Sequence, residues 1–461
     1  MQETYVRRAL AALAVALLCA SGGAFAQGPG SARNGPPPQA VSACSGLASG
    51  AACGFQAPRG HVSGTCHAGH GRPLACRPAG QRGVSPGAGA QGGAMPPKRG
   101  YTPAAAPFAE AVALSNRLTD TGQHTCFTDT AATDCTRAAA AGFPGQDGWY
   151  ASRTQTFEDR GDGTVFDPAT GLLWQQGHNA RRLSFGDATA ACAALRLGGR
   201  ADWRLPSIRE LYSITHWQGV TGQRPFVAPA FAIAAPDATV LEGDRFAATH
   251  APEMMGQTWS ATVYAGDHYG RPGIKGVFFF NFLDGRIKQA PRDGRNGLFW
   301  RCVAGPAWGV NAFTDRGDGS VHDGLTGLTW QQVDDGRPRT WGEALRHCDG
   351  LTHGGFDDWR LPNVKELQSI VDYSRPAPAV DPVFRQADPR AWFWSSTTFG
   401  DDPAEALYVC FGPCTSAEGV DVHGAGAQRS DPKAGARPGQ GGRGGQNDEM
   451  RGRNHVRCVR G

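Results

Sequence analysis

The chain lacks most of the signatures by which functional classes announce themselves. Beyond its first residues there is no apolar run long enough to cross a bilayer. It has no H-E-x-x-H, no phosphate loop and no Ser-His-Asp order, so the usual marks of metalloprotease, nucleotide-dependent and serine-hydrolase chemistry are missing. Paired C-x-x-C zinc ligands are absent as well. Charge of one sign is not in excess: 45 Lys plus Arg face 41 Asp plus Glu, a formal net charge of +4. Such totals give no nucleic-acid footprint, although arginine greatly outnumbers lysine. No cofactor and no metal are expected.

What is present begins with a leader. Arg7 and Arg8 precede an apolar run from Ala9 to Leu18, and Ala24-Phe25-Ala26 stands before Gln27, which predicts a secretory signal over 1–26. Leu18 ahead of Cys19 argues against a lipoprotein anchor. Of 13 cysteines one leaves with the signal, and an even number in an oxidising compartment predicts disulfides and a periplasmic or extracellular protein. Gly- and Pro-rich linkers are expected at 27–43 and 79–117. Between them, 44–78 carries Cys44, Cys53, Cys66 and Cys76, a small unit held by two bridges whose pairing is open among three. His61, His67 and His70 raise the alternative of zinc, which the export context makes the weaker reading.

A duplication dominates the remainder. FEDRGDGTVFDPATGLLWQQ starts at Phe157 and FTDRGDGSVHDGLTGLTWQQ at Phe313, a step of 156. Trp174 and Trp330, Cys192 and Cys348, Trp203 and Trp359, and Cys302 and Cys458 repeat the same step, so one domain stands twice in tandem. Arg160-Gly161-Asp162 and Arg316-Gly317-Asp318 fall between short alternating runs, where Asp-Gly signals a hairpin turn in preference to an integrin ligand. Asp159, Asp162 and Asp167 lack the spacing and distal Glu of a calcium loop.

Capping boxes then predict helices from Ser184, Ser207, Thr340 and Asn363. Trp341, Ala344, Leu345 and Cys348 share one helical face. Strands are expected over 258–264, 277–282 and 298–303, and over 392–399, 406–411 and 455–459. The simplest pairing joins helix cysteine to last-strand cysteine, Cys192 to Cys302 and Cys348 to Cys458, at equal loop lengths. Two stretches break the equivalence: an Ala/Pro-containing one between Ile214 and Trp259, and a Gly/Arg-rich one from about His423 to Asn454, expected to be a disordered loop.

The string F-x-D-x-G-D-G-T/S-V-x-D-x-x-T-G-L-x-W, with a helix cysteine, D-W-R-L-P-x-x-x-E-L and a closing R-C-V, resembles the Lcl C-terminal domain family, formerly a domain-of-unknown-function family. The resemblance covers 118–305, including a lead-in with Cys126 and Cys135 as a local bridge, and 313–461. It implies an α+β fold with two tandem C-type-lectin-like domains, here joined to a small disulfide-rich N-terminal unit. The family's namesake is a surface adhesin that binds sulfated polysaccharides. This chain has no collagen-like stalk, and the Glu-Pro-Asn, Gln-Pro-Asp and Trp-Asn-Asp of calcium-dependent lectins are absent.

The expected function is therefore a secreted or periplasmic non-catalytic binding protein whose partner is a sulfated or acidic polysaccharide or a surface protein. Arg181, Arg182, Arg337 and Arg339, ahead of each copy's first helix, are the candidate contacts, because guanidinium forks suit sulfate and carboxylate. Trp392 and Trp394 read as core before they read as a sugar platform. A structural envelope or assembly role is the alternative. Formylglycine-generating or thiol-redox chemistry ranks below both, since the repeat cysteines are committed to bridges and Cys410-Phe-Gly-Pro-Cys414 has C-x-x-x-C spacing, read as a loop bridge.

Overall fold

The computed structural model describes residues 38–48, 51–57, 60–67, 74–78, 111–179, 181–221, 224–233, 256–295, 297–400, 402–436 and 448–461. The expected signal at 1–26, most of both linkers, the stretch 234–255, His70 and the segment 437–447 lie outside the described residues. The chain divides into two units, Met1–Gly89 and Ala90–Gly461.

In the first unit a helix, Pro38–Ser42, accompanies an antiparallel sheet of Ala52–Ala57, Gly60–His67 and Ala75–Pro78. Its core is little more than Ala40, Ala75 and its cysteines. The pairing left open by the sequence is Cys44–Cys66 with Cys53–Cys76. A unit this small depends on such staples. It also begins earlier than expected: Ala40 is buried in a helix within the stretch 27–43, which reads as linker in the sequence.

In the second unit each copy opens on its glycine-rich hairpin. Gly161 and Gly163 sit at φ 70° and 84°, Gly317 and Gly319 at 76° and 84°, a region glycine enters without steric cost. The Asp162 carboxylate turns back onto Thr164 N and Oγ1, and Asp318 does the same to Ser320. The aspartates of both Arg-Gly-Asp tripeptides therefore close their own turns. A first sheet orders Trp203–Arg204, Val303–Ala304, Leu172–Gln175, Thr164–Asp167 and Glu158–Asp159 in one copy. In the other it orders Val459–Arg460, Thr329–Gln331, Ser320–Asp323 and Phe313–Asp315, with Arg360 bridged to Val459 in the fifth place. The expected closing strands shorten because Arg301 and Arg457 are buried just before them; their guanidiniums bind the carbonyls of Gln175 and Gln176, and of Gln331 and Gln332.

The second sheet joins Gln257–Val263, Gly276–Asn281 and Arg286–Pro291, and in the other copy Trp392–Thr398, Glu405–Cys410 and Gln428–Pro432. That last strand corrects the expectation of a disordered loop from His423. Its polar sequence hides it: Arg429 and Asp431 are fully buried, Arg429 held by Asp448 at 2.7 Å, so ion pairing replaces the apolar pattern. Helices Phe185–Ala194 and Trp341–Asp349 carry the cysteines bridged to the last strands, Cys192–Cys302 and Cys348–Cys458, each separated by 110 residues. All four capping residues start helices as the sequence indicates, with reciprocal boxes at Ser207, Thr340 and Asn363.

One apolar cluster runs through both copies, from Trp174, Trp217 and Phe280 to Trp330, Trp341 and Trp394. The short helices Ile208–Ser213 and Val364–Ser369 pack on each other, Phe226 stacks on Phe399 at 5.9 Å, and Phe278 meets Tyr373 edge-on at 5.1 Å. The lead-in, held by the Cys126–Cys135 bridge, follows the first copy in no simple way. Although contiguous with that copy in sequence, it bonds the second: Asn116 to Glu366, Gln123 to Thr398 and Asp147 to Thr397.

Candidate functional site

Arginine-rich loops stand at the same place in both copies. Leu183 pairs with Leu298, and Arg339 with Asn454, each 156 residues on. These pairings draw the loop before the last strand against the loop before the first helix. Arg295 is thereby added to the Arg181 and Arg182 loop, and Arg451 and Arg453 to the Arg337 and Arg339 loop. Sequence reasoning missed these three because they lie over a hundred residues from their neighbours. The signal was available, since Arg295 and Arg451 are themselves one repeat step apart.

The four expected arginines differ in freedom. Arg181 and Arg337 are exposed, while Arg182 is half-buried with its guanidinium 5.8 Å from the Phe299 ring centre. Arg339 is only 14% exposed and grips Asp335 with both nitrogens, at 2.9 and 2.5 Å. Those hydrogen bonds hold the Asp335 carboxyl at about 2 and leave the Arg339 fork no room for an outside anion. Arg453 meets Glu343 at 2.9 Å with both side chains about half exposed, a pair that water and salt loosen readily. Arg451 lies 3.5 Å over Trp392, its Nε 3.3 Å from Glu449 with both side chains about a quarter exposed. Trp392 and Trp394 are fully buried, their indole N–H groups donating to Pro413 O and Arg339 O, so neither offers a face to a sugar.

Every cysteine among the described residues is in a disulfide, Cys410–Cys414 included. The sulfurs of Cys44, Cys53 and Cys76 lie within 4.8 Å of one another, but as members of two bridges they offer no thiolate to a metal.

A second concentration of polar groups lies where the copies meet. In each copy an arginine makes a two-point bond to the capping-box glutamate: Arg204 to Glu210 at 2.7 and 2.6 Å, and Arg360 to Glu366 at 2.6 Å twice. The next basic residue crosses to the other copy, Arg209 to Val371 O and Lys365 to Ser213 O. Burial brings the Lys365 amine down to about 7. Asp147, buried between Thr121 and Thr397 hydroxyls at 2.8 and 2.6 Å, is pushed up to about 8, chiefly by burial.

The raised Asp147 value sets a direction. Between its ordinary value near 4 and about 8 the folded protein keeps a proton that the unfolded chain has released, so this group's contribution to stability is lost as pH rises, by at most about 1.4 kcal/mol per pH unit. Lys365 acts oppositely only above about 7. Asp147→Asn is expected to flatten the fall in melting temperature between pH 5 and 7; an unchanged slope would refute the assignment.

A family model described as the Lcl C-terminal domain matches residues 163–304 and 319–460, the two sheet-and-helix copies from hairpin turn to last strand. No curated protein and no solved structure matches the chain. With over half of its length inside that model, the chain belongs to the Lcl C-terminal domain family and carries the domain twice.

Proposed function

We propose that the protein is an exported, non-catalytic binding protein that recognises sulfated or acidic polysaccharide through the arginine rims of its two domains. The observation that carries this reading is the recurrence of Arg181 with Arg295, and of Arg337 with Arg451, at one repeat step on loops that the backbone pairs together. Guanidinium groups on adjacent loops suit the spaced sulfates or carboxylates of a polymer, each taking a planar two-point bond. Six bridges and the lack, among the described residues, of any helix long and apolar enough to cross a membrane support a periplasmic or extracellular setting. The helix-to-last-strand bridge of each copy favours a C-type-lectin-like ancestry. With every described cysteine in a bridge, no free thiol among the described residues favours a thiol-redox reading.

Chromatography on immobilised heparin tests this. The protein is expected to elute well above 0.15 M salt, roughly where screening shortens to below 8 Å. Replacing Arg181, Arg295, Arg337 and Arg451 by alanine is expected to weaken binding at least about tenfold, at about 1.4 kcal/mol per decade. Absence of retention even at low salt, or equal retention of the variant, refutes it.

A further inference from the structure

The two copies are treated unequally at one matched place. In the second copy, Thr397 Oγ1 accepts the Val364 N–H at 3.0 Å and donates to Asp147 at 2.6 Å. Beside it the Gln123 carboxamide bonds both the N–H and the C=O of Thr398, at 2.9 and 2.8 Å, reading the strand edge as another strand would. The whole strand Trp392–Thr398 is buried.

In the first copy the same frame is built: Thr262 Oγ1 accepts the Ile208 N–H at 2.9 Å, and Ala261 N donates to Pro206 O as Ser396 N does to Pro362 O. The chain between the copies replaces only the first part of the lead-in. Trp308 N bonds Glu210 where Asn116 bonds Glu366, and Arg209 holds Gly309 O where Lys365 holds Asp120 O. The chain then leaves for the second copy. Among the described residues, no carboxylate reaches Thr262 Oγ1 and no side chain bonds the backbone of Val263. Ala261 and Val263 are exposed, and Thr262 lines an open cleft of about 420 Å³. Trp308, Val310, Phe313 and Tyr373 give that cleft apolar walls, Arg209, Asn311, Asp372 and Asp381 line it with polar groups, and Val310 is 76% exposed.

We propose that this cleft is a docking site for a segment of a partner protein, one that presents a carboxyl group to Thr262 and a carboxamide to the strand edge at Val263. The chemistry of the occupant is read from the matched site, which the protein fills with its own Gln123 and Asp147. Nothing in this inference depends on the arginine rims.

The probe is a synthetic peptide of residues 115–153 with its Cys126–Cys135 bridge formed, titrated by calorimetry into the full chain. One peptide is expected to bind per chain. Thr262→Val is expected to weaken binding several-fold, on the order of the loss of one hydrogen bond. Val310→Asp, on an exposed side chain that folding does not need, is expected to weaken it by setting a charge in an apolar wall of the cleft. The matched substitution Thr397→Val, at a seat already taken, is expected to leave the affinity unchanged. Peptides carrying Gln123→Ala or Asp147→Ala are expected to bind more weakly. No binding by the unaltered chain, indifference to both cleft variants, or sensitivity to Thr397→Val in place of Thr262→Val would each overturn the proposal. Heparin retention, unaffected by either result, keeps the two readings separate.

Discussion

Replacing Cys348 and Cys458 together by alanine is expected to remove roughly 4–5 kcal/mol of stability, the chain-entropy value for a closed loop on the order of 100 residues. The bridge spans 110 residues and ties the helix Trp341–Asp349 to the final strand. Because one apolar cluster joins both copies, the loss is expected to lower a single shared transition in calorimetry rather than to melt the second copy alone. The matched change at Cys192 and Cys302, which also closes 110 residues, should cost a similar amount. A shift below about 1 kcal/mol for either, or two separated transitions in the unaltered protein, would contradict this account.

Glu366→Ala is expected to cost about 3–5 kcal/mol, since it strands a buried arginine without its countercharge. Arg360 is 3% exposed and Glu366 1%, and the carboxylate also accepts from the backbone of its own cap and from Asn116. Glu210→Ala in the first copy should cost less. There Arg204 is 34% exposed and can turn toward solvent when its partner goes. Denaturation of the two variants side by side decides the matter: equal losses would mean that burial of the arginine is not what sets the penalty. The double change Arg360→Met with Glu366→Leu is expected to recover most of the loss, because the uncompensated charge is gone.

Much of this architecture was legible in the chain. The step between Trp174 and Trp330 revealed the duplication, the capping boxes placed the helices, and equal loop lengths pointed to the bridge partners. Each of these is a local or periodic signal. What was not legible rests on contacts between distant residues that share no pattern. Gln428–Pro432 reads as loop because Arg429 and Asp431 look like surface residues until Asp448 and Asn454 are placed beside them. The same blindness hid the arginine rims, since Arg453 reaches Glu343 across 110 residues. Arg339 was legible as a cation but not as one already spent on Asp335, four residues away on an irregular loop. The lead-in misled for a different reason: adjacency in sequence to the first copy says nothing of which strand edge has room for Gln123.

Because Gln123 and Asp147 find their seats on residues 397 and 398, an early stretch of the chain must wait for a late one. As the polypeptide emerges end first, at a pace of about 5–20 residues per second, these groups pass many seconds with only the matched frame of the earlier domain before them. The finished protein therefore records an order of events: the contacts of Gln123 and Asp147 with Thr398 and Thr397 can close only after the strand Trp392–Thr398 has been made, long after the lead-in itself.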